Sequence, residues 1–186
     1  MRKLIARVFD YSLDGLTAEE GTEYFQFCRD LPDDPVSLAR TREFYEQADM
    51  QIMGRSVYEG MSGYFPTVDD HPWADIINAA PKVVFSRTLP AADWANTTIA
   101  RGDTAEEIDK LRRGGDGHIV VCGGISFWQS LMRLDLIDEY RITLFPYVAG
   151  EGKRLFESLD RSGQLDLVSS IAFGNGTVEL DYRRNR

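Results

Sequence analysis

The sequence predicts an α/β fold: one domain built on a mostly parallel sheet with flanking helices and antiparallel strands along one side. Three observations carry this. Strand and helix patterns alternate through residue 135. The most hydrophobic run, His118 to Cys122, reads as a central strand that passes straight into Gly123-Gly124 and a helix. Beyond it the chain turns strand-rich, and Gly174-Asn175-Gly176 is a hairpin signal between two such strands.

In order, Lys3 to Phe9 carries Ile5, Val8 and Phe9 as a first strand, closed by the turn Ser12-Leu13-Asp14-Gly15. Residues 16 to 36 hold Glu19, Glu20, Asp30, Pro32, Asp33, Asp34 and Pro35, the composition of a long surface loop broken by a short helix around Tyr24 to Cys28. From Ser37 to Ala48, Leu38, Thr41, Phe44, Tyr45 and Ala48 recur at helical spacing, with Ser37 as N-cap. Gln51 to Met53 is a short buried strand, and Ser56 with Glu59 forms a capping-box pattern opening the next helix. Trp73 to Ala79 is helical; Lys82 to Ser86 and Thr97 to Ala100 are strands, with a helix expected after each. Thr104 with Glu107 marks one such start, Ile108 and Leu111 face inward, and Gly114-Gly115 ends it. The helix after Gly124 carries Phe127, Trp128 and Leu131; Tyr140 to Val148 is a long strand, and Gln164 to Phe173 pairs with Thr177 to Arg183.

With 186 residues, 43% hydrophobic and 27% charged, the chain suits one compact domain. No apolar run approaches the roughly 20 residues of a membrane span, which predicts a cytoplasmic protein. The net charge of −9 disfavours nucleic acid and anionic membranes as partners, leaving a small-molecule substrate. Cys28 and Cys122 lie far apart without CxxC spacing, and His71 and His118 lack a second ligand at metal spacing; no metal site is expected, and the thiols read as structural.

An acidic protein must hold any phosphate in a local pocket. Three strand ends have that character: Gly54-Arg55-Ser56, Ser86-Arg87-Thr88 and Gly123-Gly124-Ile125-Ser126. In parallel sheets such ends line the binding crevice, and free amides at a following helix N-terminus attract anions. Alone, Gly123-Gly124 is equally a tight turn, and Arg55 and Arg87 are equally solvated turn residues; on one predicted edge the three together point to a dinucleotide, with Arg87 suited to the 2′-phosphate of NADPH. No GxGxxG follows the first strand and no Walker A loop is present.

Read in order, SLDG at 12–15, MGRSVYE at 53–59, KVVFSRTL at 82–89, IVVCGGISFWQSL at 119–131 and LIDEYRITLFPYVAGEGKRLF at 136–156 resemble the bacterial dihydrofolate-reductase-like proteins that share the reductase domain of the riboflavin-biosynthesis enzyme. The resemblance implies a twisted, mainly parallel sheet of about eight strands and NADPH as cofactor. It places Gly54, Arg55 and Ser56 at the cofactor phosphates, Ser86, Arg87 and Thr88 at the 2′-phosphate, and Gly123, Gly124, Ile125, Ser126 and Phe127 along the pyrophosphate and nicotinamide. Asp14 and Gly15 fall where the first loop closes over the nicotinamide, with Asp14 as the candidate catalytic residue and Glu43, Tyr45 and Asp49 as further proton carriers.

Departures from the family pattern shape the substrate side. Val57 stands where a threonine is usual and has no hydroxyl to donate. Counting back from Gly54, Leu38 falls where true dihydrofolate reductases carry their acid, so dihydrofolate is the less favoured substrate. The acidic loop from Leu16 to Pro35 gives the substrate pocket its own shape. The implied function is hydride transfer from NADPH to a C=N or C=O of a small pterin-like or aminopyrimidine-like heterocycle. The second reading is a noncatalytic NADPH-binding or interaction protein. A homodimer through exposed strands is compatible with either.

Overall fold

The computed structural model describes residues 1–157, 159 and 162–185. Its elements run β1 (Leu4–Tyr11), β2 (Leu16–Thr17), α1 (Glu23–Asp30), α2 (Pro35–Glu46), β3 (Ala48–Gly54), α3 (Arg55–Tyr64), α4 (Ala74–Ala79), β4 (Lys82–Phe85), β5 (Thr97–Ala100), α5 (Thr104–Arg112), β6 (His118–Val121), α6 (Ile125–Arg133), β7 (Glu139–Leu144), β8 (Lys153–Arg154), β9 (Leu165–Ala172) and β10 (Val178–Arg184). The sheet order is β5-β4-β3-β6-β1-β7-β10-β9, with the short β2 and β8 paired to each other beside β1. Contacts from β5 through β7 are parallel, and β10 pairs antiparallel with both β7 and β9. The carboxyl ends of β1, β3, β4 and β6 therefore share one edge.

Side-chain alternation sorts the core into two layers. Leu4, Ala6 and Val8 of β1, Ile52 of β3 and Ile119 and Val121 of β6 pack with Ile108 of α5 and Trp128 and Leu131 of α6. On the other face Ile5, Phe9, Met53, Val84 and Val120 meet Phe44 and Tyr45 of α2, Tyr58 of α3 and Ile77 of α4. Each fully buried aliphatic chain contributes about 1.5–3 kcal/mol, so helices on both faces are needed to exploit the pleat.

Arg7 lies on that second face and is 1% exposed. Its Nη1 donates to Thr143 Oγ1 at 2.9 Å, and its Nη2 lies 3.7 Å from Glu179, itself 1% exposed. Burial pushes the guanidinium down to about 10 against the pull of Glu179, so it remains a cation at neutral pH. Arg40 of α2 closes on the same carboxylate through Nε at 2.9 Å and Nη2 at 2.8 Å.

Several local expectations change. Helix α2 starts at Pro35 under Asp34, whose Oδ1 accepts the amides of Val36 at 2.9 Å and Ser37 at 3.0 Å; Ser37 is thus inside the helix. Glu59 makes no capping box, because Arg55 takes it as an ion pair at 2.7 Å and α3 starts one residue before Ser56. Asp103, not Thr104, caps α5, and Glu107 pairs with Lys110. No helix follows β4: residues 86–96 run as loop and turn into β5, anchored by Trp94 Nε1 donating to Asn78 Oδ1 at 2.9 Å. Strand β7 stops at Leu144, short of Pro146, which has no amide for a ladder. The long loop contains β2 as well as the expected short helix, here α1.

Candidate active site

The glycine junctions meet where β3 and β6 end. Gly54 N–H donates to Gly123 O at 3.1 Å, which sets the starts of α3 and α6 side by side. Gly123 has φ +113°, and a Cβ there would sit 3.0 Å from the Trp128 ring. A Cβ on Gly54 would lie 3.2 Å from that of Phe127, whose ring packs on Phe85 with centroids 5.0 Å apart. Both positions therefore require the small residue, for conformation or for close approach.

Arg55 leans across to the third junction, donating through Nη1 to Thr88 Oγ1 at 3.0 Å while Nε holds Glu59. Ser86 builds the turn that presents Arg87: its Oγ accepts the amides of Thr88 at 3.3 Å and Leu89 at 3.0 Å. Arg87 and Thr88 stand exposed on that turn.

Below these junctions lies a cleft of about 1070 Å³ bordered by Gly124 and Ile125, with walls formed by Phe9, Phe25, Tyr64, Phe65 and Trp128. Ile125 and Lys153 continue it into a hollow of about 310 Å³ shared with Ser56, Ser126 and Arg154. Arg7, Phe9 and Asp10 continue it the other way into a hollow of about 160 Å³, where Leu38 and Thr41 of α2 also line the wall. The flat aromatic walls suit a planar heterocycle, and Arg7, Asp10, Glu19, Glu20, Arg29 and Lys153 give the cleft charges of both signs.

Asp14 clasps two loops. Its carboxylate accepts Ser12 Oγ at 2.6 Å, Ala149 N at 3.0 Å and Gly150 N at 2.7 Å, and these bonds to the ionised form hold it at about 2. The stability it adds is present above the ordinary aspartate range and lost as pH falls through about 2. An anion so held has no proton to give near neutrality. Gly15, at φ +82°, completes the turn, and Arg154 Nη1 donates to Asp14 O at 2.9 Å.

None of the other three carboxyl or phenol candidates borders the cleft. Glu43 is exposed and accepts from Gln47 at 3.0 Å. Tyr45 is buried in the core, and burial raises its phenol. Asp49 pairs with Arg2 at 2.5 Å at the amino end of β3. Asp10 of β1 and Lys153 and Arg154 of β8 are not legible from spacing, because β8 reaches the site only by pairing with β2 across a long sequence separation and Asp10 becomes part of it only when the loop carrying β2 folds back over the end of β1.

The helix ends decide whether a dinucleotide suits these residues. Thr22 caps α1, Asp34 caps α2 and Asp103 caps α5, each through a side-chain oxygen. Helices α3 and α6 begin at Gly54 and Gly124 with no side-chain cap. Gly124 and Ile125 border the cleft and Ser56 and Ser126 the adjoining hollow, so two helix starts that no side chain caps, the arrangement that takes phosphate oxygens, stand at its rim. The residues fit the group.

The sheet order and its flanking helices define a dihydrofolate-reductase-like α/β fold. Residues 2–179 match the model of the RibD C-terminal domain, and the chain belongs to that family. It is 32% identical to the uncharacterized protein YyaP of Bacillus subtilis over 149 residues, 77% of this chain and 78% of the relative. It is 28% identical to the uncharacterized protein YwjB of the same organism over 175 residues, 93% of each. Among solved structures it is similar to a putative riboflavin biosynthesis protein of Shewanella sp. PV-4, with TM-score 0.77, 24% identity and 99% of both chains covered. Enterococcus faecalis dihydrofolate reductase, solved with NADP(H), shares the fold at TM-score 0.64 and 18% identity, over 99% of this chain and 97% of that one. Among the described residues no helix is long and apolar enough to cross a membrane, and no group of three or more metal-type ligands occurs.

Proposed function

We propose that the whole chain acts as one NADPH-dependent reductase domain that reduces a C=N or C=O of a small pterin-like or aminopyrimidine-like heterocycle. The observation that carries this is the pair of uncapped, glycine-led helix starts on the rim of an aromatic-walled cleft. Gly54, Arg55, Ser56, Gly123, Gly124 and Ser126 hold the phosphates; Ser86, Arg87 and Thr88 take the 2′-phosphate; Ile125, Phe127 and Gly15 flank the nicotinamide. Asp14 positions the loop over the ring through its clasp on Ala149 and Gly150. NADPH supplies the hydride, and the aromatic walls hold the acceptor carbon against it and exclude water.

The test is NADPH binding followed by oxidation in the presence of a pterin and aminopyrimidine panel. Micromolar-range or tighter NADPH binding with substrate-dependent oxidation is expected. Absence of NADPH binding overturns the reading. Tight binding without oxidation across the panel moves it to the noncatalytic alternative, which Leu38 on the wall of the adjoining hollow favours.

A further inference from the structure

We propose that Asp10, at the carboxyl end of β1, is the proton donor of this site and the group that recognises a ring nitrogen conjugated to an amino group in the substrate. The inference rests on the reductase reading above. Of the other carboxylates lining the cleft and the hollow beneath it, Glu19 is paired to Lys153 at 2.5 Å, Asp34 accepts the amides of Val36, Ser37 and Gly174, and Glu20 and Asp33 stand exposed to solvent, which already satisfies them. Asp10 accepts no side-chain hydrogen bond and forms no ion pair within 4.0 Å among the described residues, although it is half-buried and borders both the large cleft and the hollow beneath it. A polar group held half-dry with no partner is costly unless a ligand supplies one.

The backbone aims it there. Asp10 has φ +53°, a region uncommon for a non-glycine residue, and its carbonyl accepts Ala18 N–H at 3.2 Å, folding the acidic loop back over the strand end. Behind it Arg7 stacks on Phe9 with its guanidinium carbon 3.7 Å from the ring centroid, so the floor of the cleft is a flat aromatic with a fixed cation under it and an unspent carboxyl beside it. A planar ring lying on Phe9 would turn one edge to Asp10.

Burial raises the carboxyl above the usual range, opposed by Arg7 and Arg29. Tyr24 and Cys28 of α1 also face it and are held neutral by burial, while Lys153 faces the cleft already paired to Glu19. Asp10 would give its carboxyl proton to the C=N nitrogen as the acceptor carbon takes the hydride that a bound dinucleotide would supply, and the carboxylate would be reprotonated from water. Only the protonated form can donate, so turnover falls as pH rises through the Asp10 midpoint.

The experiment compares the full-length protein with Asp10→Asn, using 2,4-diaminopyrimidine as probe and calorimetry in buffers of different ionisation heat. The wild type is expected to bind it with uptake of close to one proton above both groups' midpoints. Asp10→Asn is expected to lose that uptake and about tenfold or more in probe affinity, with NADPH affinity within about twofold of wild type. No probe binding by the wild type, or equal affinity and proton uptake in the variant, overturns the proposal. Failure of the wild type to bind NADPH sinks the reductase reading alone, since the probe arm still decides Asp10. Carbon NMR titration of the wild-type Asp10 carboxyl gives a check that needs no variant: a midpoint above about 4 is expected, and one at or below it overturns the assignment.

Discussion

Helices α1, α2 and α5 start under Thr22, Asp34 and Asp103, while α3 and α6 start under glycine with no side-chain cap. The capped three are closed locally. Helix α4 also lacks a side-chain cap, behind Trp73, but only α3 and α6 start under glycine; these two are joined by the bond from Gly54 to Gly123 and stand at the rim of the cleft and its adjoining hollow. The difference separates amides that hold the fold from amides kept open for a ligand: a cap contributes about 1 kcal/mol to stability, and leaving it out forgoes that in exchange for anion binding.

The sharpest way to break this contrast is to install a cap where none exists. Gly124→Asp places its Cβ 3.4 Å from Val57 and 3.9 Å from Ser56, ordinary contacts, and puts a carboxylate where the phosphate is proposed to sit. NADPH affinity should fall about 100-fold, about 2.8 kcal/mol, with denaturant stability unchanged or slightly raised. Unchanged NADPH affinity would remove the phosphate role of α6. Gly123→Ala tests the turn that delivers that helix: at φ +113° with the Trp128 ring 3.0 Å away, it should cost about 1–3 kcal/mol in urea unfolding and weaken NADPH in step. Arg87→Ala should lower the preference for NADPH over NADH about tenfold, on the order of 1.5 kcal/mol, measured by competitive binding; unaltered preference would assign the 2′-phosphate elsewhere. Removing a cap from the closed class should do the reverse. Asp103→Ala should lose about 1 kcal/mol of stability with NADPH affinity unmoved.

The same division explains what the sequence made legible. The alternation Leu4, Ala6, Val8 against Ile5, Phe9 and the run Ile119–Val121 are local signals, and they recover the central strands and both helix layers. The three strand ends are local too, so Gly54–Ser56, Ser86–Thr88 and Gly123–Phe127 could be picked out before their proximity was known. Caps were misplaced where two candidates stood within three residues: Asp34 wins over Ser37 because Pro35 between them can only begin a helix. Asp10 was invisible for a different reason. In sequence it is the last acidic residue of a strand beside a turn, and only the refolding of the loop through Ala18 and the packing of α1 make it half-buried and unpartnered. Asp14, by contrast, has the obvious acidic-turn signature and is spent on Ser12, Ala149 and Gly150.

The pairing of Arg7 with Glu179 reaches from the first strand to the last, across β7. During synthesis β1 leaves the ribosome early with a guanidinium destined for a dry interior, and its counter-charge arrives only with β10. The sheet closes around that cation only once the hairpin carrying β10 has docked, so the dry interior of the first strand depends on the last.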